Sequence, residues 1–145
     1  MPARRRSRPQ AEVFIDTGFV IALLDEDDAF HARALRWAKH FDGRYCLTTT
    51  AVLLECGDGF ANRSTWKVLH PFLADLRADP AIEVVAVDTA LLDRAITLRQ
   101  KNLARKWGLT DCLSFVVMKE RGITEALSSD SDYNEAGFDA LLLRT

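Results

Sequence analysis

Four carboxylates stand where an α/β chain would bring them to one edge of a sheet: Asp16, Glu55, Asp111 and Asp130. Asp16 ends a short apolar strand over 12–15. Asp130 follows the apolar segment 125–127 after Ser128 and Ser129. Asp111 falls in the first turn of a helix, within Gly108-Leu109-Thr110-Asp111-Cys112-Leu113-Ser114-Phe115. Glu55 interrupts the apolar helical run Ala51-Val52-Leu53-Leu54-Glu55-Cys56. In open α/β sheets ligands bind beyond the carboxyl ends of the strands, and that rule selects these acids by position. Acids gathered this way repel one another, and burying them uncompensated costs several kcal/mol per ion. A divalent cation removes the conflict, and an all-oxygen donor set suits Mg2+ or Mn2+ better than zinc. Such an ion polarises a phosphoryl oxygen and acidifies a water, so the chemistry that fits is phosphodiester hydrolysis. Thr17, Ser114 (three residues on from Asp111 and on its face of the helix) and Asp132 are the candidates to support these acids.

Each acid also has a plainer reading that position alone leaves open. Asp16 fits a helix N-cap, Asp111 a complement to a helix dipole, Asp130 an Asx turn and Glu55 a solvated helix face. Asp25 to Asp28 read as a solvated loop, with Asp28 able to cap the next helix. Trp37, Trp66 and Trp107 read as core or interface residues, although Lys106-Trp107, beside the proposed site, is a candidate RNA contact.

The scaffold that must position them reads as strands alternating with helices. Strands are expected over 12–15, 45–47, 82–87, 125–127 and 140–143, with the third apolar enough to be covered on both faces. Helices are expected over 19–24, 29–41, 51–60, 64–77, 90–102 and 110–122. Pro71 should kink or break the fourth, Asp88 should cap the fifth and Gly122 should end the sixth. The alternation predicts an α/β fold with a parallel sheet of four to five strands between helical layers.

The 145 residues are expected to form one domain over 11–145, preceded by a basic, disordered arm over 1–10. Of the 19 Lys and Arg, four are Arg4, Arg5, Arg6 and Arg8; without them the balance against 21 acids is 15 − 21 = −6. An acidic body excludes nucleic-acid binding through a broad cationic surface, so a metal or local cations must offset any phosphate substrate. Cys46, Cys56 and Cys112 lack metal-ligand spacing and read as reduced thiols of a cytoplasmic protein. No apolar run approaches the ~18 residues that span a membrane.

Several local strings resemble the PIN-domain nucleases. Phe14-Ile15-Asp16-Thr17-Gly18 resembles their opening. Trp107 to Phe115 resembles the segment carrying another metal-site Asp, and Ala126 to Phe138 the segment of the fourth acid. Glu55 matches the helical acid after strand two. The order and spacing agree from about Val13 onward, nearest to the VapC-type toxins of toxin–antitoxin pairs. Ser128 and Ser129 depart from a Thr-containing pair, Asp132 stands where His is frequent, and Tyr133 stands for Phe. The arginine arm has no counterpart.

The resemblance implies a three-layer α/β/α sandwich and Mg2+- or Mn2+-dependent endonucleolytic cleavage of RNA. Asp16 and Asp111 would be the most direct ligands, with Glu55 and Asp130 completing the site. It further implies a homodimer silenced by a small antitoxin, with no membrane association. Two alternatives stand beside it: a PIN ribonuclease of RNA maturation without an antitoxin, and a receiver-like phosphoacceptor. The second lacks a strand-borne Lys in the required place.

Overall fold

In the computed structural model, residues 9–144 are described. Five strands, β1 (Val13–Ile15), β2 (Cys46–Thr49), β3 (Ile82–Val85), β4 (Glu125–Leu127) and β5 (Asp139–Ala140), pair in parallel in the order β3-β2-β1-β4-β5. Helices α1 (Thr17–Leu24), α2 (His31–Phe41), α3 (Thr50–Gly59), α4 (Arg63–Ala78), α5 (Thr89–Lys101), α6 (Leu109–Arg121) and the short α7 (Asp132–Glu135) complete the α/β/α fold. A receiver-like sheet would run 2-1-3-4-5, so the observed order removes that alternative.

β1 is central, and every residue of it is buried because a parallel sheet is covered by the helices of its own crossovers. Val13, Phe14, Val20, Leu47, Leu127 and Leu141 form part of a continuous apolar core. Phe14 is fully buried, which makes its side chain worth about 2–3 kcal/mol in removed apolar surface. The register Phe14↔Leu47 on one side and Phe14↔Ala126 on the other aligns the carboxyl ends of β1, β2 and β4.

From β1 the chain winds outward through β2 to β3, then crosses back to β4 and β5 on the other side. The direction of winding therefore reverses between β1 and β4, a topological switch point where the connecting segments diverge and leave a crevice. Asp16 follows β1 directly and Asp130 lies three residues past β4. α6 leads into β4, so its first turn, with Asp111, starts at that same carboxyl edge. α3 leaves the carboxyl end of β2 and carries Glu55 in its second turn.

Several local expectations need correction. Asp28 does not cap α2: its carboxylate accepts from the Phe30 amide in a turn before the helix, and Phe30 occupies the cap position. β3 is only half-buried, because it is the sheet edge and one flank has no strand. α4 runs unbroken through Pro71, whose exposed position leaves the freed carbonyl of exposed Lys67 to solvent. The fifth strand is two residues long, and Leu141–Leu143 turn into a 3-10 helix. By contrast, Asp88 caps α5 through the Leu91 amide at 2.8 Å, and Gly122 ends α6 at φ 67°, a left-handed conformation natural to glycine. Most of the expected arm, residues 1–8, lies outside the described residues. Gln10, placed in that arm by the sequence, donates to the Arg121 carbonyl.

Candidate metal centre

Asp16 occupies the N-cap position of α1, yet its side chain makes no cap bond there. It accepts instead from Ser128 Oγ at 2.7 Å, across the gap between β1 and β4. The Asp16 amide also donates to the Leu127 carbonyl at 3.2 Å, fixing the two strand ends together. Asp16 is only 8% exposed. Burial raises its pKa above the usual carboxylate range, the Ser128 bond opposes this, and the Glu55 charge adds to the rise. A buried carboxylate with an adverse environment is held by the fold at a cost, which is common where a site is built.

Glu55 lies on the exposed face of α3 and accepts from Thr17 Oγ1 at 2.9 Å. Thr17 thus ties the helix acid to the residue beside Asp16. Cys56, the next residue, is fully buried, and its thiol is pushed up to about 12 by burial and then by the charges of Asp16 and Glu55. Cys112 is likewise raised by burial and by Asp111. Neither is a thiolate nucleophile at neutral pH.

Asp111 accepts from the Gly108 amide at 3.1 Å through Oδ2, so it caps the start of α6 with one oxygen and presents the other. The Asp111 pKa is pushed up to about 6, mainly by burial and further by the charges of Asp130, Asp16 and Glu55. The other three sequence-selected acids therefore all act electrostatically on Asp111.

Asp130 does form an Asx turn, its Oδ1 accepting from the Asp132 amide at 2.9 Å, and its own amide donates to Ser128 Oγ at 3.1 Å. The turn starts α7 and brings a further acid inward. Asp111, Asp130 and Asp132 each offer an oxygen, and the three oxygens lie within 4.8 Å of one another. Asp132, expected only in a supporting place, thus joins this group, while Asp16 and Glu55 stand alongside it. The pKa of Asp132 is raised by burial and by Asp130. Ser114 is buried and its hydroxyl donates to the Thr110 carbonyl at 3.2 Å within α6.

Tyr133 was not among the sequence-selected residues. It is fully buried, and its hydroxyl lies near the Ser114 hydroxyl and the Asp16 carboxylate. Among the described residues it makes no hydrogen bond of normal geometry. A buried unsatisfied hydroxyl costs about 1–3 kcal/mol. A water or hydrated cation between it and Asp16 would satisfy it, so the residues present fit a divalent ion by charge, donor type and this free hydroxyl. Trp107 is 7% exposed and packs edge-on against Phe115, with ring centroids 5.1 Å apart. Its ring fills the core under the site and cannot stack a base, which corrects the expectation for that side chain.

The PIN domain family pattern matches residues 13–139. The chain is 31% identical over 127 residues to the 23S rRNA-specific endonuclease VapC20 of Mycobacterium tuberculosis, spanning 87% of this chain and 95% of that one. The crystal structure of M. tuberculosis VapC20, described as a sarcin–ricin loop cleaving toxin, superposes with a TM-score of 0.80 at 27% identity. It covers 89% of this chain and 98% of its own. FitAcB from Neisseria gonorrhoeae shares the fold alone, with a TM-score of 0.63 at 16% identity and coverage of 88% and 97%.

Proposed function

The chain belongs to the PIN-domain family, and from that premise we propose that it is a VapC-type toxin that cleaves RNA with a divalent cation, Mg2+ or Mn2+. The observation that carries the reading is the convergence of Asp111, Asp130 and Asp132 beside buried Asp16 at the switch point of the sheet. Asp111, Asp130, Asp132 and Asp16 would hold the ion, with Glu55 at the rim. When bound, the ion supplies charge to the phosphoryl oxygens and acidity to a water.

The chain's own residues set up the rest. Ser128 fixes one oxygen of Asp16. Gly108 does the same for Asp111. Thr17 holds Glu55 in a fixed orientation at 2.9 Å, where its free oxygen can accept a proton from the attacking water. The raised pKa values of Asp16 and Asp111 reflect desolvation first and then repulsion by neighbouring acids, both of which a cation would relieve.

Ribosomal RNA, the substrate in the name of the 31% identical relative, is the first substrate to try. A small antitoxin and homodimerisation belong to the same reading, and copurification and sedimentation of the chain with the product of a neighbouring short reading frame test both. Incubation of purified protein with ribosomal and single-stranded RNA tests the activity. Cleavage in Mg2+ or Mn2+, abolished by EDTA and by Asp16→Asn, is the expected result. Cleavage that survives both overturns the metal–carboxylate assignment.

A further inference from the structure

An acidic body must still hold a polyanion. Several arginines are engaged by carboxylates or carbonyls elsewhere: Arg44 with Glu12, Arg94 with Glu120, Arg121 with Glu83, Arg144 with Glu125 and Asp139, and Arg33 with the Leu142 carbonyl. The segment Arg99-Gln100-Lys101-Asn102-Leu103-Ala104-Arg105-Lys106 is different. It carries four cations and no acid, from the last turn of α5 into the loop before α6. Lys101, Arg105 and Lys106 are exposed, and the two lysines have no carboxylate within ion-pair distance among the described residues.

The loop is fixed against the acid site at two points. Its end runs through buried Trp107 into Gly108, whose amide binds Asp111, so the Lys106 Cα lies within ~7 Å of the Gly108 Cα along the chain. Arg105 pairs at 3.5 Å with Glu135, the last residue of α7, the helix that begins at Asp132. Arg99 closes the loop by donating to the Asn102 carbonyl at 3.1 Å. Arg105 and Lys106 are thus tied to the two segments that supply the carboxylate cluster, and Lys101 ends α5 five residues before Lys106. Leu103, 64% exposed, and Leu109, 41% exposed, add apolar surface beside them.

We propose that the Arg99–Lys106 loop is the backbone grip of this enzyme, with Lys101 and Lys106 binding RNA phosphates that flank the bond to be cut. This rests on the ribonuclease reading and adds the element that offsets substrate charge. Lysine suits the task because a flexible point charge follows a backbone without reading its bases. The loop therefore supplies affinity and salt dependence rather than sequence choice.

The test measures binding of a labelled single-stranded RNA by fluorescence anisotropy over a range of KCl, in Mg2+. An Asp111→Asn background leaves the RNA uncut. The Lys101→Ala/Lys106→Ala double substitution should weaken binding about tenfold or more and make the salt slope shallower by about 1.4, roughly 0.7 for each phosphate no longer neutralised. Lys101→Arg/Lys106→Arg should keep both near the parent values. Lys39→Ala should change neither, because α2 ends where β2 begins, at the opposite edge of the sheet. Unchanged affinity and slope in the double Ala variant, with an RNA-binding parent, overturn the loop assignment and leave the ribonuclease reading standing. A parent that binds no RNA overturns both.

Discussion

Replacing Asp111 by Asn should make the metal-free protein more stable while abolishing cleavage. The carboxyl pKa is pushed from the ordinary 3.8 up to about 6, chiefly by burial and then by neighbouring acids. At ~1.4 kcal/mol per pH unit the difference would be about 3 kcal/mol, and partial exposure of the side chain screens it to about 1–2 kcal/mol. The sign follows from proton linkage. A carboxyl whose folded pKa is raised binds protons more tightly when folded, so metal-free stability falls as pH rises from about 4 through about 6. Buried Asp16 is raised in the same direction and adds to the slope. Asn cannot ionise, and its amide oxygen can still accept from the Gly108 amide. Thermal and urea unfolding in EDTA should therefore show the wild type losing stability between pH 5 and pH 7. Asp111→Asn should be flatter across that window and about 2–8 °C higher in Tm at pH 7. With saturating Mn2+ the wild-type trend should reverse, since the ion binds only ionised carboxylates. An Asp111→Asn protein no more stable than wild type at pH 7 in EDTA would refute the reasoning that these acids are held together against their repulsion.

Tyr133→Phe removes a buried hydroxyl that lacks a hydrogen bond, so the metal-free protein should be unchanged or stabilised by up to about 1 kcal/mol, while the Tm gain on adding Mn2+ shrinks; a smaller metal-free Tm argues that the hydroxyl is satisfied within the protein. Ser128→Ala strands a buried carboxylate oxygen of Asp16 and should cost about 1–3 kcal/mol near pH 7, with the loss shrinking as the pH is lowered and Asp16 takes up a proton, as paired urea titrations will read. Gly18→Ala would place a Cβ 3.0 Å from Ser129 Oγ, beside Ser128 and Asp130. Displacing Ser129 there should lower cleavage by tenfold or so with the fold retained, measured by initial rates alongside unfolding.

The positions of Asp16, Asp111 and Asp130 were legible because each depends on a local pattern: an acid after a buried strand, an acid in a first helical turn, an acid in a serine-flanked turn. The parallel order then brings those points to one edge. Asp132 was legible only as a marginal candidate, because its approach depends on the Asx bond from Asp130 that starts α7. Tyr133 was noticed as a departure in residue type, but its hydroxyl matters only through a neighbour 117 positions earlier in the chain, Asp16. Trp107 read as a core or interface residue with an RNA contact left open beside Lys106, and only packing against Phe115 decides that it turns inward. β3 read as a buried strand because its composition is apolar, whereas edge or centre is a property of the whole sheet. The Arg99–Lys106 loop gains its meaning from being held against two acid-bearing segments, which no window of sequence shows.

The central claim is that the clustered acids hold a divalent cation. Calorimetric titration of Mn2+ into wild-type protein at pH 7 and into Asp130→Asn tests it most directly, since Asp130 belongs to the three-oxygen group and organises Asp132. The expected result is saturable binding to the wild type with proton release, weakened about a hundredfold or more in the variant. Equal Mn2+ affinity in the two proteins, or none in either, would contradict the account.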